Sequence, residues 1–237
     1  MTAGKTPERP RQLAFDLPVL TALGRRDFFV SSANAEAVGM IDRWPDWPAS
    51  TLFLVGPPGS GKSHLAHVWQ GASGATLVSA AALRTETVPE LLSQGALVLE
   101  DAPGLDADER ALFHLINHAR EHRAFVLVTS HTLPALWPVE LADLRSRLRA
   151  SPAVELWAPD DALLRAVLVK HFADRQIAVD EPVVSYLVSR MERSFDAARR
   201  LVAEIDRRAL ADKAEVTRAF VARVLGQWSE PGLFEED

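Results

Sequence analysis

The run Gly56-Pro57-Pro58-Gly59-Ser60-Gly61-Lys62-Ser63 has the residue types and spacing of a phosphate cradle. In this G-x-x-x-x-G-K-[ST] pattern the glycines let backbone N–H groups close on phosphate oxygens, and the helix that follows contributes the positive end of its dipole. Lys62 is expected to hold the β and γ phosphates of ADP or ATP, and Ser63 a Mg²⁺ ion. Gly56, Gly59, Ser60, Gly61 and His64 complete the expected nucleotide-binding set. Such a site also needs an acidic residue at the tip of a neighbouring strand. Ala96-Leu97-Val98-Leu99-Glu100-Asp101 supplies an apolar run ending in two carboxylates. Glu100 is assigned to the magnesium shell, and Asp101 to the orientation of a water.

Two further groups could take part. Phe125-Val126-Leu127-Val128-Thr129-Ser130 is an apolar run ending in hydroxyls. From such a strand end a side chain can sense a γ-phosphate or its attacking water, although threonine at a strand end is also commonplace. Arg145, Arg147 and Arg149 are too dense in guanidinium for an apolar helix face. Arginine supplied in trans stabilises phosphoryl-transfer charge, and a solvated basic helix explains any single one of them equally well. His114, His118 and His122 fall four apart and could share a helix face and a metal, but no carboxylate completes a shell, so they read as surface histidines. Trp44 and Trp47 read as packing under a loop.

The elements that must position these residues are legible in hydrophobic period. Helix is expected over Asn34 to Arg43. Strands are expected over Thr51 to Val55, Thr76 to Ser79, Ala96 to Leu99 and Phe125 to Thr129, with a further one over Val154 to Leu156. Apolar runs separated by helical segments are the mark of βαβ units and a parallel sheet. Asp106 with Glu109 resembles a capping box ahead of an apolar stripe at Leu112, Leu115, Ile116 and Ala119. After Pro159 strands stop and helical stripes take over, so the fold class is α/β, a parallel αβα core followed by a smaller helical lid. The expected division is an arm over 1–24, a nucleotide-binding α/β domain over 25–158, a lid over 159–226 and an acidic tail over 227–237.

The totals exclude other classes. The chain of 237 residues has no cysteine, so disulfides, thiolate metal sites and thiol catalysis are excluded. No apolar run reaches the roughly 20 residues needed to cross a bilayer, and Met1 to Pro10 lacks the apolar stretch of a signal peptide, so a cytoplasmic location is expected. Lys plus Arg number 26 against 32 for Asp plus Glu, a net charge of −6, so no global positive field draws the protein to DNA.

The order of phosphate loop, acidic strand end, Thr129-Ser130, Ser146-Arg147-Leu148 and Ala198-Arg199-Arg200-Leu201 resembles the AAA+ P-loop NTPase module of the bacterial replication initiator DnaA, over roughly Asp27 to Val224. A DnaA chain continues into a helix-turn-helix domain, whereas thirteen residues follow Val224 here, so direct sequence-specific DNA binding is not expected. With Gln12-Leu13-Ala14-Phe15-Asp16-Leu17 ahead of it, the module resembles the Hda (HdaA) family, the regulatory inactivators of DnaA.

Roles and partners follow from that resemblance alone. Gln12, Leu13, Phe15 and Leu17 match the family's motif for the hydrophobic pocket of the DNA polymerase sliding clamp. Arg147 is the implied finger toward the initiator's nucleotide, and Arg199 the implied lid sensor of the protein's own phosphates. The implied function is negative regulation of replication initiation by stimulating hydrolysis of DnaA-bound ATP. Sliding clamp, DnaA and a second copy of the chain are the implied partners, with no membrane. Two departures, Glu100 where DnaA carries aspartate, and His131-Thr132 where it carries Asp-Arg, imply weak intrinsic hydrolysis. The alternatives are an independent AAA+ ATPase such as a helicase loader, and a clamp-binding module whose nucleotide is only structural.

Overall fold

The structure, a computed structural model, describes residues 28–102 and 108–227. The arm with Gln12, Leu13, Phe15 and Leu17, the residue Asp106, and the acidic end lie outside the described residues.

Helix α1 (Ala35–Asp42) precedes strand β1 (Thr51–Val55), and helix α2 (Lys62–Ser73) leads to β2 (Thr76–Ser79). A short α3 (Val88–Leu91), β3 (Ala96–Glu100), α4 (Glu109–Glu121), β4 (Phe125–Ser130), α5 (Ala142–Ala150) and β5 (Ala153–Glu155) follow. The five strands form one sheet in the order β2-β3-β4-β1-β5, and every pairing is parallel.

The apolar runs in the sequence are explained by this arrangement. A parallel sheet covered on both faces must bury consecutive residues, not alternate ones. All five residues of β1 are buried, as are the first four of β3. Phe53, Val55, Leu97, Leu99, Val126 and Val128 face a core shared with Leu112 and Leu115 of α4 and Leu144 and Leu148 of α5. Their neighbours Leu52, Leu54, Val98 and Leu127 face Val38 and Ile41 of α1 and Leu65 and Trp69 of α2. Trp44 and Trp47 belong to this second layer: Trp47 stacks on Trp69 at 4.9 Å between centroids and donates from Nε1 to Met40 O at 2.8 Å. Packing is therefore what they do.

One local expectation is corrected. The N-cap of α4 is Asp108, whose Oδ1 accepts from the N–H groups of Arg110 and Ala111 at 2.9 and 3.1 Å. The capping box at Asp106 and Glu109 is not the start of this helix. Glu109 instead serves a different helix. Its carboxylate accepts from the N–H of Glu140 at 2.9 and 3.1 Å and of Leu141 at 2.8 Å, and so fixes the backbone that leads into α5. Replacing Glu109 by alanine leaves these N–H groups without a protein acceptor. It is expected to lower stability by about 1–2 kcal/mol and the thermal midpoint by roughly 2–6 °C, with Glu109→Gln between the two. A melting curve indistinguishable from wild type for the alanine variant contradicts the bridge.

The chain divides within α6 (Asp161–Asp174), between Leu164 and Arg165, and Arg193–Phe195 group with the earlier residues. The later unit is helical: the rest of α6, α7 (Glu181–Val188), α8 (Phe195–Asp212) from Asp196 onward, and α9 (Arg218–Gln227). Its core is built from Leu168, Phe172, Val184, Leu187, Leu201, Ile205, Val221 and Val224, all buried. Arg175 pairs with Asp206 at 3.6 Å, and Arg165 pairs with Glu181. Both α6 and α8 end in left-handed residues, Gln176 and Lys213; Ile177 N–H closes back on Phe172 O at 2.9 Å and Ala214 N–H on Ala209 O at 3.1 Å. Among the described residues no helix is long and apolar enough to cross a membrane.

Candidate nucleotide-binding site

The carboxyl end of β1 runs directly into the glycine loop, and α2 starts at Lys62. Open parallel sheets place ligands at this end of the strands, where loops and helix N-termini converge. The loop needs its glycines for measurable reasons. Gly59 and Gly61 hold φ of +70° and +96°, a region open to glycine and costly to other residues. A Cβ on Gly56 would lie 2.4 Å from Leu156 O, and one on Gly61 would lie 2.9 Å from Phe195 Cε2. The loop is also tied from both sides: Gly56 N–H donates to Ser130 O at 3.1 Å, and Phe195 N–H donates to Gly59 O at 3.0 Å. Nothing in the sequence pattern announced Ser194 and Phe195 as its supports.

Lys62 is buried, 6% exposed. Its Nζ donates to Gly56 O at 2.7 Å and Pro57 O at 2.9 Å. A third neighbour, Nδ1 of His131, lies at 3.4 Å. Burial pushes the Lys62 ammonium below the usual lysine range, and the carboxylate of Asp101 partly opposes that shift. A buried cation resting on two carbonyls at the mouth of a glycine loop has the chemistry to exchange those acceptors for phosphate oxygens. Ser60 Oγ is buried in the same loop and has no hydrogen-bond partner among the described residues.

The acidic strand end is one strand further away than expected. β4 lies between β1 and β3, so Glu100 and Asp101 stand on the next-but-one strand from the loop and not on its neighbour. Asp101 still acts on Lys62 through its charge. It adopts φ +58°, unusual for a non-glycine residue, and its N–H donates to Thr129 Oγ1 at 3.0 Å. Glu100 Oε1 is buried with no hydrogen-bond partner among the described residues. A carboxylate oxygen withdrawn from both water and protein donors is suited to a hydrated divalent cation, because a lone buried carboxylate is otherwise costly. Glu100 and the exposed Ser63 at the start of α2 are oxygen donors of the kind Mg²⁺ takes.

The hydroxyls of Thr129 and Ser130 both bond to backbone groups near the tip of β4. Thr129 Oγ1 accepts from Asp101, while Ser130 Oγ donates to Thr132 O at 2.7 Å and accepts from Thr132 N–H at 3.1 Å. These bonds shape the tip of β4 and leave His131 as the side chain that reaches the phosphate loop. In the sequence His131 stands out only as a departure from a family pattern; the polar residue just past an apolar strand was the available signal.

The other candidates separate clearly. His64 packs edge-on to Phe28 at 5.0 Å. Arg145 donates from Nη2 to Val139 O at 2.5 Å, a structural tie at the start of α5. Arg147 is partly buried on the same helix, and among the described residues its guanidinium makes no hydrogen bond or ion pair. Arg199, in the helical unit, pairs with Asp196 at 2.6 Å. His118 stacks on His122 at 3.9 Å; partial desolvation, then the His122 and His114 rings, push its imidazole below the ordinary value. No group of three or more such ligands that could hold a metal occurs among the described residues.

Comparison of the whole chain with known proteins bears on the fold. No protein-family model matches the sequence, and no curated protein matches it. Among solved structures it is similar to domain III of the replication initiation protein DnaA of Thermotoga maritima, with a TM-score of 0.74 at 16% identity, covering 91% of this chain and 100% of that one. It is also similar to a single-substitution variant of Thermotoga maritima RuvB, with a TM-score of 0.68 at 17% identity, covering 84% of this chain and 70% of that one. A structure described as the Thermotoga maritima RuvB Holliday junction branch migration motor gives 0.63 at 20% identity, over 81% and 64%. The fold, a five-stranded parallel sheet with helices and a helical unit after it, is the one found in DnaA domain III and RuvB.

Proposed function

We propose that this chain is a nucleotide-carrying AAA+ regulator of replication initiation, which docks on the sliding clamp and stimulates hydrolysis of the ATP held by the initiator DnaA. The observation that carries the reading is Arg147: of the two α5 arginines flanking Ser146, Arg145 is tied to the chain's own carbonyls, and the Arg147 guanidinium makes no bond among the described residues. The extended likeness to DnaA domain III supports it. AAA+ modules that share a fold can stack so that an arginine of one meets the nucleotide of the next, in this case the initiator or a second copy of the chain.

In this reading Lys62 and the N–H groups of the glycine loop hold the phosphates of ADP or ATP, Ser63 and Glu100 hold Mg²⁺, and Asp101 orients a water. Arg199 reads the phosphates from the lid. Mg²⁺ held by these two residues would supply positive charge against the phosphates. Arg147 supplies a fixed planar cation where charge grows on the initiator's transferring phosphoryl group. Gln12, Leu13, Phe15 and Leu17 bind the clamp as an extended peptide, glutamine by hydrogen bonds and the apolar side chains in a pocket.

The likeness to RuvB favours a second reading, an independent ATPase whose own turnover does work. One assay separates the two: ATP preloaded on purified DnaA is followed with this protein in its ADP form, clamp and DNA, each omitted in turn. The regulator reading expects loss of that ATP only in the complete mixture, and none with Leu13→Ala. Survival of the initiator's ATP while this protein consumes its own supports the motor.

A further inference from the structure

We propose that Arg190 and Arg218, held on the ring of Tyr186, form a contact for the phosphate backbone of DNA on the helical unit. Tyr186 lies on α7 and is half-buried. The guanidinium of Arg190, just past the end of α7, lies over its ring at 4.1 Å from the centroid, and that of Arg218, the first residue of α9, lies over it at 5.3 Å. Arg190 also donates from Nη1 to Ser189 Oγ at 2.9 Å. Two elements thus bring two planar cations to one aromatic ring. Both arginines are exposed, and among the described residues neither makes an ion pair. In this they differ from their surroundings. The other arginines of the helical unit each pair with one of its own carboxylates, as Arg223 does with Asp212 at 3.1 Å. Helix stability does not account for Arg218 either, because the first turn is the positive end of the helix dipole and opposes a cation.

The chemistry of the pair selects the ligand. A guanidinium presents a planar fork of N–H donors that matches a phosphate, and stacking on a ring fixes that plane before anything binds. Two such cations on one ring suit a ligand whose negative charges repeat. Duplex DNA carries one charge per roughly 1.7 Å of its axis, so wherever the surface lands neighbouring phosphates come within reach of both forks. Contacts of this kind position a protein on DNA and read no sequence. The net charge of −6 keeps the contact weak and local, since the rest of the chain supplies no attracting field. Weakness is compatible with the function proposed above: a chain tethered to a clamp on DNA meets that DNA at high effective concentration.

The test follows the fluorescence anisotropy of a short labelled duplex titrated with the whole chain at about 50 mM and about 200 mM salt. Neither nucleotide nor clamp is present, so the outcome does not depend on the readings above. Wild type is expected to bind with a dissociation constant of about 1–100 μM at the lower salt, equally for two unrelated sequences, and to weaken about tenfold at the higher, the loss that two phosphate contacts imply. The double variant Arg190→Ala with Arg218→Ala is expected to bind at least about tenfold more weakly at the lower salt and to lose most of the salt dependence. Arg190→Lys with Arg218→Lys, which keeps the charges and removes the forks, is expected to fall between the two. Tyr186→Phe keeps the ring and is expected to match wild type. No binding by wild type at the lower salt, or equal binding by the alanine double variant, overturns the proposal. So does displacement of the duplex by polyglutamate as readily as by unlabelled DNA of equal charge, which assigns the surface to acidic protein.

Discussion

Arg147→Ala is expected to reduce clamp-dependent hydrolysis of DnaA-bound ATP by about 10³-fold, while this protein's own affinity for ADP stays unchanged. The size follows from what the guanidinium is asked to do. An arginine aimed at a transferring phosphoryl group makes contacts that strengthen as negative charge grows on its oxygens, so its removal raises the barrier without weakening ground-state binding in proportion. The location supports the separation of effects. Arg147 lies on α5, whose Leu144 and Leu148 are fully in the core, so the helix stays in place when the arginine is truncated. Its side chain makes no bond that alanine would break among the described residues. Arg147→Lys keeps the charge but not the planar fork and is expected to recover only a small part of the rate. Arg145→Ala should behave differently, lowering thermal stability through the lost tie to Val139 O. Single-turnover hydrolysis with each variant decides; a rate for Arg147→Ala within about twofold of wild type, against the loss expected of a missing finger, refutes the assignment.

Gly59→Ala is expected to be the most damaging single methyl in the nucleotide site. Gly59 has φ +70°, and its added Cβ would stand 2.3 Å from Ser194 Cβ, a contact that no side-chain rotation relieves. The left-handed backbone costs about 1–2 kcal/mol for an L-residue, and forcing apart two packed loops costs about 1–3 kcal/mol more. The loop can respond only by moving away from Ser194 and Phe195, which breaks the bond from Phe195 N–H to Gly59 O. Either response spoils the phosphate cradle, so nucleotide affinity should fall by about 100-fold and the thermal midpoint by roughly 5–12 °C. Gly71→Ala is the control: it lies within α2 with nothing within 4 Å of the new Cβ. Alanine there should stabilise by about 0.5–1 kcal/mol and leave binding alone. Equal melting temperatures for the two variants contradict the crowding argument.

The parts of the fold that could be read from the sequence are those governed by local rules. Strand Thr51–Val55 stands where its apolar run does, because a strand buried on both faces needs an unbroken hydrophobic stretch. The glycine loop was legible because its spacing is set by backbone geometry. What escaped depends on contacts distant in the chain. Strand order is not written in any local pattern, so the insertion of β4 ahead of β3, and with it the place of His131, came only from the structure. Asp106 and Asp108 are equally good caps by type, and only the geometry of α4 selects Asp108. Glu109 looked like half of a capping box and instead serves a helix more than thirty residues away. The backbone partners of the Thr129 and Ser130 hydroxyls are likewise set by contacts between β4 and its surroundings and not by any local pattern. Arg145 and Arg147 have the same chemistry in sequence and differ only in what surrounds them.

The function proposed for this protein depends on the end of its sheet, around Lys62 and Glu100, holding an adenine nucleotide with Mg²⁺. Calorimetric titration of the wild-type chain with ADP, with and without Mg²⁺, tests that most directly, with Lys62→Ala as the reference. The expected result is one saturable site per chain, tighter with Mg²⁺ than without and weakened by about 100-fold or more in Lys62→Ala. Binding that is absent in wild type, or equally tight in wild type and Lys62→Ala, contradicts it.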